Sequence, residues 1–134
     1  MADLVERFAT AIDTDDYATA ASCMEEDAVY DEAGEKKLVG RDAILGYFRS
    51  SSEWGKANLE SLTYSHEIDE GNPLQIRLID QLKYGGDEIA VDHMMHVSLS
   101  KHGLIAALRL EYPDGERNRV RAFFEHHGLA LRSE

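Results

Sequence analysis

The stretch "AVDHMMHVSL", residues 90–99, sets one carboxylate and two imidazoles, Asp92, His93 and His96, into an otherwise apolar run. Side chains of these types in such surroundings either hold a metal ion or move protons. Spacing argues against the metal. His93 and His96 stand three apart, which on a strand sends them to opposite faces. His126 and His127 are neighbours on a predicted helix, about 100° apart around its axis. Asp92 and His96 share a face but are separated by roughly 13 Å along the strand. No metal site and no cofactor are expected, and neither a glycine-rich phosphate loop nor a nucleophile elbow occurs.

Proton transfer has more candidates. Asp80 interrupts the apolar alternation of Leu74, Ile76, Leu78, Leu82 and Tyr84, so its carboxylate is either paired with a neighbouring strand or functional. His66 lies on the face of Leu62, Tyr64 and Ile68, where it can form a general acid-base pair with Asp31, Asp80 or Asp92, or serve as a satisfied structural histidine. Asp31, in "VYDEAG", sits beside a turn, where a loop-capping or solvated aspartate is the ordinary outcome. Asp92 shares its strand face with Ala90, Met94, His96 and Ser98, and pattern alone turns that face toward water.

Composition limits what these groups can act on. The chain has 134 residues, a length that suits one compact domain, residues 1–134. With 26 acidic and 14 basic residues its net charge is -12, which repels phosphate backbones and anionic lipid heads, so neither nucleic acid nor membrane is an expected partner. The single cysteine, Cys23, excludes an internal disulfide and sits among small apolar neighbours, as a buried inert thiol does. No run free of charged residues approaches the ~20 residues of a membrane span, and "MADLVERF" lacks a basic-then-apolar signal, so a cytoplasmic protein is expected.

The elements that must position these side chains follow from periodicity. Leu4, Phe8, Ala11 and Ile12 fall at helical spacing, and "DTDD" supplies a turn and N-cap before a second helix carrying Tyr17, Ala20, Ala21 and Met24. "DAVYDE", "AGEKK" and "LVG" read as a small hairpin or strand-loop, and "GRDAILGYFRSS" as a third helix. The period then becomes two over four long strands, about Leu59 to Ile68, Leu74 to Tyr84, Glu88 to Leu99 and Leu104 to Tyr112, separated by turns at "EGNP", "YGGD" and "SKHG". "GERNRVRAFFEHHG" closes the pattern with a C-terminal helix ending at Gly128.

Helices followed by a meander imply an α+β fold with an antiparallel sheet curling around its helices. "LVERFATAIDTDDYATAASCMEEDAVYDEAGEKKLVGRDAILGYF" and the later "AVDHMMHVSLSKHGLIAALRL" resemble the NTF2-like superfamily, in particular its SnoaL-like polyketide cyclase and ketosteroid isomerase branches. That resemblance implies a cone, cystatin-like in outline, in which about four long strands wrap three N-terminal helices and a C-terminal helix is added. It implies one pocket for a small hydrophobic or carbonyl-containing ligand, and commonly a homodimer. By position it implies Asp31 as the proton-moving acid and Asp92 as the oxyanion-holding acid, which turns Asp92 and Met94 inward. In the ketosteroid isomerases an active-site phenol shares the oxyanion. Its place falls at Phe8, which has no hydroxyl, and Tyr47 or Tyr112 could supply one from another element. A dry pocket sealed by Phe8, Trp54 and Phe123 would favour a non-catalytic module instead.

The expected function is therefore a small-molecule site doing proton transfer on a carbonyl compound, by isomerisation, aldol-type cyclisation or dehydration. The alternative is a non-catalytic ligand-binding or dimerisation module, since this fold hosts both. Epoxide or ester hydrolysis would need a water held between two acids and an arginine, for which Arg41 and Arg77 are available. An inward Asp92 leaves Val91, Met95, Val97 and Leu99 outside, where a homodimer would cover them.

Overall fold

Helix α1 (Ala2–Asp13) forms where Val5, Phe8, Ala9 and Ala11 recur at helical spacing, and all four are buried. It stops at an acidic turn in which Asp16 caps α2 (Tyr17–Ser22), its carboxylate accepting from the Thr19 N–H at 3.2 Å. The computed structural model describes residues 2–69, 71 and 74–129, so most of the "EGNP" turn, residues 70–73, lies outside the described residues.

The chain continues as β1 (Met24–Glu32), β2 (Lys36–Val39), α3 (Arg41–Asn58), β3 (Ser61–Asp69), β4 (Gln75–Tyr84), β5 (Asp87–Leu99), β6 (Ile105–Glu111) and α4 (Glu116–His126). The strands form one curved, open sheet in the order β2-β1-β6-β5-β4-β3, which with the helices gives the expected α+β cone. No helix among the described residues is long and apolar enough to cross a membrane.

The four long strands expected are present, and the expected small hairpin supplies two more, β1 and β2, in the same sheet. The apolar piece at "DAVYDE" is part of a nine-residue strand that pairs antiparallel with β2 and parallel with β6, so the sheet is mixed rather than wholly antiparallel. Met24, expected at the end of α2, opens β1 instead. The Ile105 N–H donates to the Cys23 carbonyl at 2.9 Å and Met24 stands opposite Ile105, a long-range pairing that overrides local helical spacing. Helix α3 also runs past "FRSS". It passes so close above β3 that a Cβ on Gly55 would meet Leu62 Cδ2 at 2.4 Å, and Ser52 and Gly55 are buried there.

The facing of β5 corrects a second expectation. Val91, Met95 and Val97 are only 6 %, 3 % and 7 % exposed in the single chain, packed on the inner side of the sheet. Leu99 packs against the same core. These residues therefore offer no outer apolar face for a homodimer, while Asp92 and Met94 point the other way.

Helix α4 crosses the region where β6 has ended beside β5. Its Glu116 accepts from the Asp92 N–H at 2.6 Å and its Arg119 donates to the Ala90 carbonyl, so two side chains satisfy backbone groups that a longer β6 would have paired. Phe124 then packs on Trp54 of α3, with ring centroids 5.7 Å apart.

Candidate active site

The concave side of the sheet, the end of α1, α3 and α4 enclose a cavity of about 500 Å³. Leu78, Leu82, Val91, Met95, Leu110 and Phe124 give it a largely apolar wall. That volume falls in the range of small-molecule sites.

Polar groups enter the cavity from both ends. The register of β4 and β5 pairs Leu78 with His93 and Asp80 with Val91, so Asp80 and His93 are diagonal neighbours on the inner face. His93 Nε2 lies 3.5 Å from Asp80 Oδ2, and both ring nitrogens of His93 are buried without a hydrogen-bond partner among the described residues. The His93 ring also lies 5.4 Å from the ring of Tyr112, against which the Arg117 guanidinium stands at 5.3 Å. Burial, reinforced by the Glu32 charge, pushes the Tyr112 phenol well above the usual tyrosine range and keeps it protonated.

Glu32 is fixed in turn. The Tyr30 hydroxyl donates to its carboxylate at 2.7 Å and the Tyr47 hydroxyl at 3.0 Å. On the α1 side, Asp13 Oδ2 meets His66 Nδ1 at 2.5 Å, and His66 Nε2 meets Glu6 at 3.1 Å. Asp13 Oδ1 is buried with no hydrogen-bond partner among the described residues. Burial raises the Asp13 carboxyl despite the His66 hydrogen bond, which lowers it. Between these groups the Tyr64 hydroxyl donates to Ser52, whose hydroxyl donates to Asp15 at 2.8 Å, and burial pushes the Tyr64 phenol up to about 12.

Asp80, Tyr47, Trp54 and Tyr112, picked out in the sequence, all line this cavity. Six others do not. Asp31 points away from it and accepts from the Gly34 N–H at 2.9 Å, capping the β1–β2 turn, while its neighbour Glu32 turns inward. Asp92 lies on the outer face, where Arg77 donates to it at 2.8 Å and holds its carboxyl below the usual range. Met94 shares that outer face by alternation. Phe8, 1 % exposed, is part of the core and not of the cavity wall. Phe123 packs on Phe124 and His127 behind that wall. His66 is tied to Asp13 and Glu6 rather than to Asp31, Asp80 or Asp92.

Sequence reasoning missed His93, Asp13 and Glu32. His93 had a signal, since it belongs to the apolar alternation of Val91, Met95 and Val97, which the core claims in preference to water. Arg77 is outside the cavity and Arg41 donates to the Met24 carbonyl at 3.2 Å. Neither arginine stands between two cavity acids, as epoxide or ester hydrolysis by that route would require.

The sequence profile of the SnoaL-like domain matches residues 5–108, well over half of the chain. The chain belongs to the SnoaL-like domain family. This places the SnoaL-like protein in the NTF2-like superfamily, in agreement with its curved sheet and enclosed cavity. Solved structures share its fold. Bal32a, from a soil-derived mobile gene cassette, superposes with a TM-score of 0.68 at 17% identity, over 84% of this chain and 88% of that one. A putative SnoaL-like polyketide cyclase from Shewanella denitrificans gives 0.67 at 13% identity, over 90% and 96% of the two chains. An LEH-like epoxide hydrolase from M. tuberculosis gives 0.65 at 16% identity, over 94% and 93%. No curated protein matches the sequence.

Proposed function

We propose that this SnoaL-like protein binds a small, mainly apolar carbonyl compound in its cavity and moves a proton on it, with His93 as the acid-base group and Asp80 as its partner. The observation that carries this reading is the His93 ring, buried in the cavity wall with neither nitrogen hydrogen-bonded and Asp80 at 3.5 Å. A buried imidazole without partners leaves its hydrogen-bonding capacity to a ligand. Asp80 orients the ring and stabilises the imidazolium that forms when it takes a proton from carbon next to the carbonyl. Tyr112, in ring contact with His93 and held protonated, is placed to donate to the developing oxyanion. Return of the proton to another carbon gives isomerisation, and its delivery to a departing hydroxyl gives dehydration.

The relatives named cyclase and hydrolase support a small-molecule site, and fold likeness alone does not choose the reaction. A second reading has its own observation. Glu32 is satisfied by Tyr30 and Tyr47, and Asp15 by Tyr17 and Ser52, as suits a non-catalytic receptor whose polar wall is already paired. Incubating enolisable ketones with the protein in deuterated water and following loss of the α-proton signal by NMR separates the two. Protein-dependent exchange supports catalysis, and binding without exchange supports the receptor.

The resemblance to the isomerase and cyclase branches also supports a homodimer. Its surface would lie away from the inner face of β5, and Val29 and Val39, 44 % and 73 % exposed and paired across β1 and β2, offer an apolar patch for it. Light scattering of the parent and Val39→Lys tests that assembly.

A further inference from the structure

Outside the cavity, one cluster of metal-ligating side chains forms among the described residues where α4 ends against the β4–β5 turn. It consists of Asp87, His126 and His127, whose ligand atoms all lie within 4.8 Å of one another. His127 Nε2 is 3.0 Å from Asp87 Oδ2, and His126 Nε2 is 3.9 Å from the same oxygen. Neighbouring positions inside a helix diverge, but α4 ends at His126 and His127 is its C-cap, at φ -96° and ψ 3°. The tight Gly85–Gly86 turn then brings Asp87 up to both rings.

His127 carries the second observation. Its side chain is only 11 % exposed, wedged between Phe123 and Tyr84 at centroid distances of 4.9 and 5.4 Å. Among the described residues its buried Nε2 makes no aligned hydrogen bond, although the Asp87 carboxylate is within reach. A buried nitrogen 3.0 Å from a carboxylate oxygen but without an aligned hydrogen bond is poorly satisfied as protein alone. A cation between them would satisfy both.

We propose that Asp87, His126 and His127 bind one divalent transition-metal ion of the zinc type, which fastens the helix α4 to the hairpin beneath it. Two imidazoles and one carboxylate are the donor set of zinc, nickel or cobalt rather than of calcium or magnesium, which take oxygen. Donors at about 2.0–2.1 Å from a tetrahedral ion stand roughly 3.3 Å apart. The two distances to Asp87 bracket that separation, and His126, with 73 % of its side chain exposed, is free to close the rest by rotation. The fourth position is left to water or an outside ligand. Because α4 contributes Val120 and Phe124 to the cavity wall, metal binding would steady that wall without touching His93 or Asp80.

The test uses the full chain without an affinity tag. Titration with zinc chloride by calorimetry is expected to show one saturable site per chain, and cobalt chloride is expected to give the visible absorption of a four- or five-coordinate ion. Zinc should raise the melting temperature by on the order of 5 °C, since the ion binds only the folded arrangement. His126→Gln, at an exposed position, should weaken binding more than tenfold, and Asp87→Asn and His127→Gln should abolish it. Should His127→Gln fail to fold, the other two variants decide. Absence of saturable binding below about 1 mM, or binding in His126→Gln and Asp87→Asn equal to that of the parent, would overturn the site.

Discussion

His93 and Asp80 meet at 3.5 Å across the diagonal of the β4–β5 pair, an imidazole and a carboxylate that both line the cavity. The pairing follows from register, because Leu78 opposite His93 puts Asp80 two residues along on the same face. Asp80→Asn keeps the shape and removes the charge that stabilises an imidazolium. Turnover is expected to fall by about tenfold or more with little change in KM, by the usual size of acid-base contributions. Steady-state kinetics on a ketone found by the exchange screen provide the check, and a pure KM effect would argue for simple binding.

Tyr112→Phe removes the hydroxyl while leaving the ring that lies against His93. Losing one oxyanion donor usually lowers kcat by 10²–10³, so a loss of about that size is expected if Tyr112 donates to the oxyanion. Tyr47→Phe should do much less to kcat, because the Tyr47 hydroxyl is spent on Glu32. Equal losses in the two variants would remove Tyr112 from the mechanism.

Phe8→Tyr introduces a phenol at the place where the family resemblance puts one. The position is 1 % exposed and lies in the core, so the new hydroxyl would be buried without a partner. Denaturant melts should show a loss of about 1–3 kcal/mol, and the exchange rate should not rise. A faster enzyme would mean that the side chain reaches the ligand after all.

The Asp13 and His66 pair sets a pH dependence of stability. Burial alone lowers the imidazole, but hydrogen bonds to Asp13 and Glu6 outweigh it and hold His66 above its ordinary 6.5. A proton held more tightly by the folded chain stabilises the fold fully below pH 6.5, and that contribution is lost as pH rises through the raised value. The raised Asp13 acts in the same direction at lower pH, and His96, lowered by burial, acts oppositely. The comparison that isolates His66 is therefore the variant. Melting curves between about pH 6 and 8 should fall more steeply in the parent than in His66→Gln, and parallel curves would refute this.

Much of the fold was legible because its elements are local. The N-cap at Asp16, the hairpin at Gly85 and Gly86 and the alternation of β3 to β5 all follow from neighbours in sequence. The parallel pairing of β1 with β6 was not, since it joins segments from opposite ends of the chain and leaves no local period. The extent of α3 was hidden by Ser51, Ser52 and Gly55, which are poor helix formers, although Gly55 here allows a close pass over Leu62.

The site was legible in part for the same reason. Asp80 showed itself by interrupting an apolar alternation, and the cavity holds it. Alternation also placed Asp92 outside, and Arg77 meets it there. Matching Asp92 to a family position turned β5 over and took His93 from view. A match of position carries less weight than the burial of Val91, Met95 and Val97, which together remove far more apolar surface from water than one carboxylate can oppose when an arginine waits outside.

The most direct measurement is α-proton exchange by NMR, on the same ketone, in the parent, His93→Gln and Asp92→Asn. His93→Gln is expected to lower the exchange rate by roughly 10²–10⁴ while remaining folded. Asp92→Asn, which breaks only an outer pair with Arg77, should leave the rate within about twofold of the parent. A folded His93→Gln that exchanges as fast as the parent, or an Asp92→Asn that loses the activity, would contradict this reading.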